Sequence, residues 1–392
     1  MTGTHSIWAY PWDLYDLGVE TALNRVTDVG LNMVSLATSY HAGRFLQPGN
    51  PRRRVYFPQD GTVYYKTDPA RWAEHEIVPL QADIVDSEGD MLGTLIRRRD
   101  AGGPGVSCWT VCLHNTRLGM LHPSHVMRTA HSDAHSYALC PSSPAARAYV
   151  TGLTAEISHI YHPDRIELES PDFMGFSHGF HHEKDGLGLL PEDVFLLGVC
   201  FCDHCLKRAA SSRIPAEAAR LEAANLLDSA FAREVPRPQF PDFKTLGVEA
   251  FNSQPALAAY LAWRSEPVTS LISEIRDATH PSTALLLIDA EGTWAGGVDL
   301  AAVVPHVDGI LYCAYYTDTA QIEPLMAQTR ATLGPDKTLI TGFQLFYPNV
   351  SDRQYLCERI KAASGHADGF NFYNLGLVPD ARLDWIKSAL LA

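Results

Sequence analysis

Basic charge is what this chain most clearly lacks: 31 Lys and Arg stand against 45 Asp and Glu, a formal net charge of −14. Proteins that grip nucleic acid turn a basic face to the phosphates, so this balance argues against a nucleic-acid partner. Apolar runs are short. None approaches the roughly 20 residues that cross a bilayer, and the opening "MTGTHSIWAYPW" lacks the basic-then-apolar order of a secretory leader. A cytoplasmic protein with no membrane partner is expected. Cysteine is sparse, with 8 in 392 residues, too few for a disulfide scaffold, and a reducing compartment keeps such thiols free. Low-complexity segments are missing, and no repeat other than a strand–helix period is visible. What remains is an ordinary globular composition, 46% hydrophobic and 19% charged, with length enough for a large core.

Eight runs rich in β-branched or aromatic residues are present, and helical stretches separate them. The runs are "HSIWAYP" from His5, "NMVSLAT" from Asn32, "VSCWTVCLH" from Val106, "RIELES" from Arg165, "TALLLIDAE" from Thr283, "DGILYCAYY" from Asp308, "TLITGFQLFY" from Thr338 and "DGFNFYNLG" from Asp368. Helices are predicted over 18–29, 145–161, 318–333, 352–364 and 380–391. Eight strand–helix units predict an α/β fold, a (β/α)8 TIM barrel, as one catalytic domain over residues 1–392. A doubly wound sheet alternates similarly, but the turns "DVGLN", "HVDGI" and "HADGF" before strands, and polar or aromatic residues after them, suit a barrel mouth. Insertions are expected at 41–65, 115–143 and 171–197, after strands two, three and four, with another irregular piece at 236–254. The first three fall on the side where barrel active sites assemble.

In "DRIELESPDF", alternation sets Ile166 and Leu168 on one face and Glu167 and Glu169 on the other. Outward faces of barrel strands pack under helices, so the acids are expected inside the barrel, with Glu169 at its mouth and Glu167 a layer deeper in an orienting role. Glu169 is the candidate catalytic acid. Strand five repeats the pattern with Asp289 and Glu291, and carboxylates on adjacent strand tips are what glycoside hydrolysis uses, one as proton donor and one to attack or stabilise. Other strand ends carry side chains suited to sugars: Trp8, Tyr10, Trp12 and Asp13; Tyr40 and His41; His114 and Asn115; Tyr315, Tyr316 and Asp318; Gln344 and Tyr347; Tyr373 and Asn374. The loop "FSHGFHHEKDG" offers His178, His181, His182 and Lys184 as donors over a substrate. A catalytic metal there is the lesser reading, because the glycines do not favour the helix that would align His178 with His182.

"GVCFCDHCLKRA" supplies three thiols, Cys200, Cys202 and Cys205. A structural zinc wants four ligands, and Cys140 in "YALCPSSP" is the candidate fourth, ahead of His204. The context of a thioredoxin-like redox motif is absent. Cys108, Cys112 and Cys313 read as small core residues and Cys357 as a helix residue.

A strand-four acid followed by CxCxxC and a helix at "LKRA" resembles the beta-galactosidases of glycoside hydrolase family 42. The stretch from "LCPSSPAARAYV" to "RIELESPDF" is similar to other glycoside-hydrolase-like barrels. The resemblance is best between about Cys140 and Cys205. It implies that Glu169 is the general acid/base and that Cys200, Cys202 and Cys205 bind structural zinc, with no organic cofactor. Two features depart from the family: "ELES" lacks its Asn-Glu pair, and strand seven ends at Gln344 where its nucleophile glutamate belongs. The second carboxylate would then be Asp289 first, and after it Glu291 or Asp318. The leading expectation is a glycoside hydrolase acting on a small glycoside or oligosaccharide. The alternatives are a metal-dependent lyase or isomerase using His114, His178, His182 and Glu169, and a carbohydrate-binding barrel without chemistry. A homo-oligomer stays open.

Overall fold

The computed structural model describes residues 3–178 and 183–391. Eight parallel strands close on themselves: β1 (Thr4–Ala9), β2 (Met33–Tyr40), β3 (Gly105–Val111), β4 (Arg165–Glu169), β5 (Ala284–Ala290), β6 (Gly309–Cys313), β7 (Thr338–Gln344) and β8 (Gly369–Tyr373). Each pairs with the next, and β1 pairs with both β2 and β8, so the barrel leaves no edge. Helices such as Val19–Asp28, Pro144–Tyr161, Thr319–Leu333, Arg353–Ala363 and Asp380–Leu391 surround it. This is the (β/α)8 barrel predicted from the alternating runs.

The turns that precede the even-numbered strands set the register. Asn32, Asp164, Asp308 and Asp368 stand just before β2, β4, β6 and β8. Their side chains accept hydrogen bonds from the backbone N–H of His5, Val106, Leu285 and Leu339, at the starts of β1, β3, β5 and β7, at 2.7–2.8 Å. A short acceptor at one strand's entrance thus pins the preceding strand. Arg276 and Arg330 hold two of these aspartates at 2.7 and 2.6 Å. Glycine follows Asp308 and Asp368 because a Cβ at Gly309 or Gly369 would lie 2.3 Å from the carbonyl oxygen of Thr338 or 1.9 Å from that of Thr4.

Side chains alternate between a helix-facing layer and the barrel interior. Ile166, Leu168, Leu285, Leu287, Ile310 and Phe372 belong to the large apolar cluster under the helices. Trp8, Ala37, Trp109, Leu286, Leu311 and Ile340 pack inside. Below them the floor is polar. Arg165 pairs with Glu167 at 2.8 Å and donates to Ser6 and Ser107, while Ser35 donates to Glu167.

Insertions crowd the C-terminal side. Residues Phe45–Leu46 pair with Val55–Tyr56, and Thr62–Val63 runs antiparallel to the end of β2. A helix, Thr116–Leu121, and a hairpin of Val126–Arg128 with Ala134–Leu139 follow β3. Between β4 and β5 the chain forms helices Pro191–Leu197, Asp203–Ser211, Ala216–Phe231, Pro255–Trp263 and Ser265–Ala278.

The floor ion pair generates a stability prediction, since removing one partner strands a charge in the interior. Glu167→Ala should cost about 3–5 kcal/mol, read as a lower midpoint in urea. Asp380→Ala, which breaks the surface pair with Arg25, should leave the midpoint nearly where it was. Equal shifts for both would contradict the role of the floor.

Candidate active site

Two glutamates two residues apart on β4 meet different surroundings. Trp8 and Trp109, from β1 and β3, stack inside the barrel with ring centroids 4.8 Å apart and planes inclined by 15°. The Trp8 indole N–H donates to Glu167 Oε2 at 2.6 Å, and the Trp109 indole N–H donates to Glu169 Oε2. Glu167 also accepts from Ser35 and from the Arg165 guanidinium. Among the described residues, Glu169 accepts from the indole alone. Burial therefore pushes the Glu169 carboxyl up to about 7, and the single hydrogen bond from Trp109 pulls it back only in part.

Above Glu169 lies a cavity of about 540 Å³. Its walls include Trp8, Tyr40, Trp109, Tyr315, Gln344 and Tyr373, and Glu291 and Tyr316 stand exposed at its rim. The Tyr10 hydroxyl beneath links the hydroxyls of Tyr40 at 3.0 Å and Tyr373 at 2.9 Å. Burial, then the neighbouring Tyr373 and Glu169, raises Tyr40 well above the ordinary phenol value, and burial carries Tyr373 to about 12. Both phenols keep their protons at neutral pH. The result is an aromatic pocket with hydroxyl donors, an amide and a carboxyl group that titrates near neutrality.

Several expected site residues stand elsewhere. Asp289 is the main correction: on β5 the inward positions are Leu286 and Ile288, so Asp289 follows Leu285 and Leu287 toward the helix layer, away from the face that carries Glu169. There it accepts from Thr293 and from the Ala290 N–H. Trp12 is fully buried, stacked on Tyr10 at 4.6 Å, and does not line the cavity. Both Asp13 carboxyl oxygens are engaged, by the Tyr10 N–H and the Gln47 amide. Asn115 caps Thr116–Leu121 by accepting from the Leu118 N–H and donates to the Gly61 carbonyl. Asn374 is buried with its oxygen accepting from the Gly376 N–H. Asp318 is exposed at the start of the helix Thr319–Leu333 and lies off the cavity wall. Cys313, expected in the core, lines the cavity.

His114 lies beside the mouth, its Nδ1 3.1 Å from His178 Nε2, with the His41 ring 4.0 Å away. Burial, then the neighbouring histidines, lowers His114 to about 2. His181 and His182 lie outside the described residues. Among the described residues, the cysteines alone bring three or more ligand atoms within metal-binding distance, so the described histidines and Glu169 do not form a metal-ligating set.

Asp172 is a carboxyl group that the sequence did not single out. It lines a second cavity of about 430 Å³ that shares Glu291 with the first. Burial pushes Asp172 up to about 7; Arg264 lowers it, while Asp289 and Glu169 add to the rise. Its signal was the Pro-Asp step one residue beyond the strand-four acid, after Ser170, but only the fold brings that step to the second cavity.

Cys140, Cys200, Cys202 and Cys205 are all buried, with their sulfurs within 4.8 Å of one another. From Cys140 Sγ the separations are 3.4 Å to Cys205, 3.5 Å to Cys202 and 3.9 Å to Cys200. Tetrahedral zinc with Zn–S near 2.3 Å sets its sulfurs about 3.8 Å apart, so this donor set fits such an ion. Hydrogen bonds from the neighbouring thiols, Cys140 first, hold Cys202 far below the usual thiol range, whereas burial pushes Cys140 up. His204 stands apart, stacked on His125 at 5.4 Å.

No protein-family model matches the chain, and no curated protein matches it by sequence. Solved structures do match its fold. A beta-galactosidase from the Antarctic haloarchaeon Halorubrum lacusprofundi superposes with a TM-score of 0.59 at 12% identity, over 99% of this chain and 57% of that one. Alpha-L-fucosidase isoenzyme 2 from Paenibacillus thiaminolyticus gives 0.54 at 13% identity, over 99% of this chain and 48% of that one. The chain thus spans about half the length of these two structures. What it shares with these glycoside hydrolases is the barrel fold.

Proposed function

We propose that the chain is a glycoside hydrolase acting on a small glycoside or oligosaccharide, with Glu169 as its proton donor. The observation that carries this reading is the buried Glu169 carboxyl, which accepts the Trp109 indole N–H at the floor of an aromatic cavity and which burial pushes up to about 7. A pyranose ring in the cavity lined by Trp8 and Trp109 would find hydroxyl partners in Tyr40, Tyr373 and Gln344. Glu169 gives its proton to the glycosidic oxygen, which leaves with the electron pair of the broken C–O bond. Water supplies the hydroxyl that replaces it, and Glu291, the other carboxylate on the cavity wall among the described residues, takes the water's proton. Proton donation of this kind contributes roughly 10²–10⁴ in rate.

Glu169→Gln should lower kcat/KM by about that factor on alkyl glycosides and by far less on dinitrophenyl glycosides, whose leaving group needs no proton. Equal turnover by variant and wild type on a poor leaving group would sink the assignment. The acid must be protonated, so activity should fall as pH rises through about 7. Trp109 lowers that value, so in Trp109→Phe the falling limb should move to higher pH; a limb that stays put would contradict the hydrogen bond's part.

The four thiols are the proposed site of a structural zinc that ties the β4–β5 connection to the end of the β3 insertion. Elemental analysis should find one zinc per chain, lost together with thermal stability in Cys205→Ser. Zinc retained at full stoichiometry in that variant would refute the site.

A further inference from the structure

Arg264 is a buried cation that the mechanism above does not use. It is 2% exposed and forms the joint between the helices Pro255–Trp263 and Ser265–Ala278. Its guanidinium has no ion pair with a described residue. Instead Nη1 donates to the Ala295 carbonyl at 3.0 Å, Nε has no partner, and Cζ stands 4.8 Å and 5.7 Å from the ring centroids of Phe173 and Phe195. Burying an unpaired charge carries a desolvation cost that an apolar side chain of similar length would avoid. What the guanidinium supplies, and such a side chain cannot, is the hydrogen bond to Ala295.

Ala295 belongs to the loop that carries Glu291. Its N–H donates to the Gly292 carbonyl at 2.9 Å, so two hydrogen bonds in series run from the guanidinium to the residue directly after Glu291. The loop also lies against the chain leaving β4: the Phe173 N–H donates to the Gly296 carbonyl at 3.0 Å, and a Cβ at Gly296 would stand 2.5 Å from Asp172 Oδ2. Gly297, at φ +85°, passes so close to Arg264 that a Cβ there would lie 2.9 Å from the Arg264 carbonyl oxygen. The helix that places Arg264 is itself fixed, since the Tyr260 hydroxyl donates to the Cys200 carbonyl at 2.6 Å and its ring stacks on Phe201 at 4.8 Å. Glu291 is exposed, so where its carboxylate stands depends on the backbone it leaves. We infer that Arg264 is a positioning residue: through Ala295 it fixes the loop from which Glu291 reaches the cavity, and so sets the place of the carboxylate that takes the water's proton. This rests on the reading of Glu291 as the base.

The test uses a dinitrophenyl glycoside on the full-length chain. Its leaving group needs no proton, so the rate reports on the attacking side of the reaction. A displacement of about 1 Å at a reacting group costs about 10²-fold, and Arg264→Met, which keeps the length but not the donor, should lower kcat by about that factor. Azide should restore much of the loss, because it attacks without giving up a proton. Its nitrogen bonds to the anomeric carbon as dinitrophenolate leaves with the electron pair of the C–O bond, and the product is the glycosyl azide. Glu291→Ala is the reference and should respond to azide in the same way. Arg264→Gln serves if Arg264→Met fails to fold. An unchanged kcat, or a loss that azide does not restore while it restores Glu291→Ala, overturns the inference and leaves the glycosidase reading standing. Full turnover by Glu291→Ala overturns the base assignment beneath it, and cleavage of no glycoside by the wild type overturns the glycosidase reading itself.

Discussion

The Arg165–Glu167 ion pair on the barrel floor is the constraint from which the site follows. Buried charges need partners and further hydrogen bonds, and the interior supplies them: serines from β1, β2 and β3, and the Trp8 indole, converge on that pair. Those groups are then spent. Glu169, one layer higher on the same strand, has a single donor among the described residues, and burial pushes its carboxyl up to about 7. One strand thus carries two carboxyl groups 2 residues apart, distinguished by how many donors each layer provides.

The paired indoles connect this electrostatic arrangement to the cavity. Trp8 and Trp109 stack on each other and donate their N–H groups, one each, to the two glutamates. Both side chains also line the cavity. Orientation of the acid and shape of the binding surface therefore come from the same two side chains. Beneath the wall, the Tyr10 hydroxyl ties the phenols of β2 and β8 together, so the two strands that flank β1 are coupled through one buried hydroxyl.

Much of the fold was legible because its signals are local. Strands buried on both faces read as apolar runs, and the acceptor-plus-glycine turns at Asp308 and Asp368 carry a register device that the sequence spells out. The acids of β4 were legible because alternation there has a polar phase. In "LLLIDAEG" the acids stand only at the end of an unbroken apolar run, and there Asp289 takes the phase of Leu285 and Leu287 in the helix-facing layer. Asn115 and Asp13 look like ligand-binding types, but a helix cap and a loop amide use them up. Asp172 and the Trp109–Glu169 contact depend on how loops and distant strands return to the mouth. No window of sequence contains that information. The four-cysteine group lies between these extremes, since three members are adjacent in sequence and the fourth is 60 residues away.

The account turns on Glu169 being short of donors where Glu167 is not. A carbon-13 NMR titration of the glutamate side-chain carboxyls, with Glu169 assigned by its absence in Glu169→Gln, measures this without any substrate. The Glu169 resonance should titrate near 7. A midpoint at the ordinary glutamate value of about 4.3 would mean that water or an unseen donor satisfies the carboxylate, and the proposed proton donor would be ionised when it is needed.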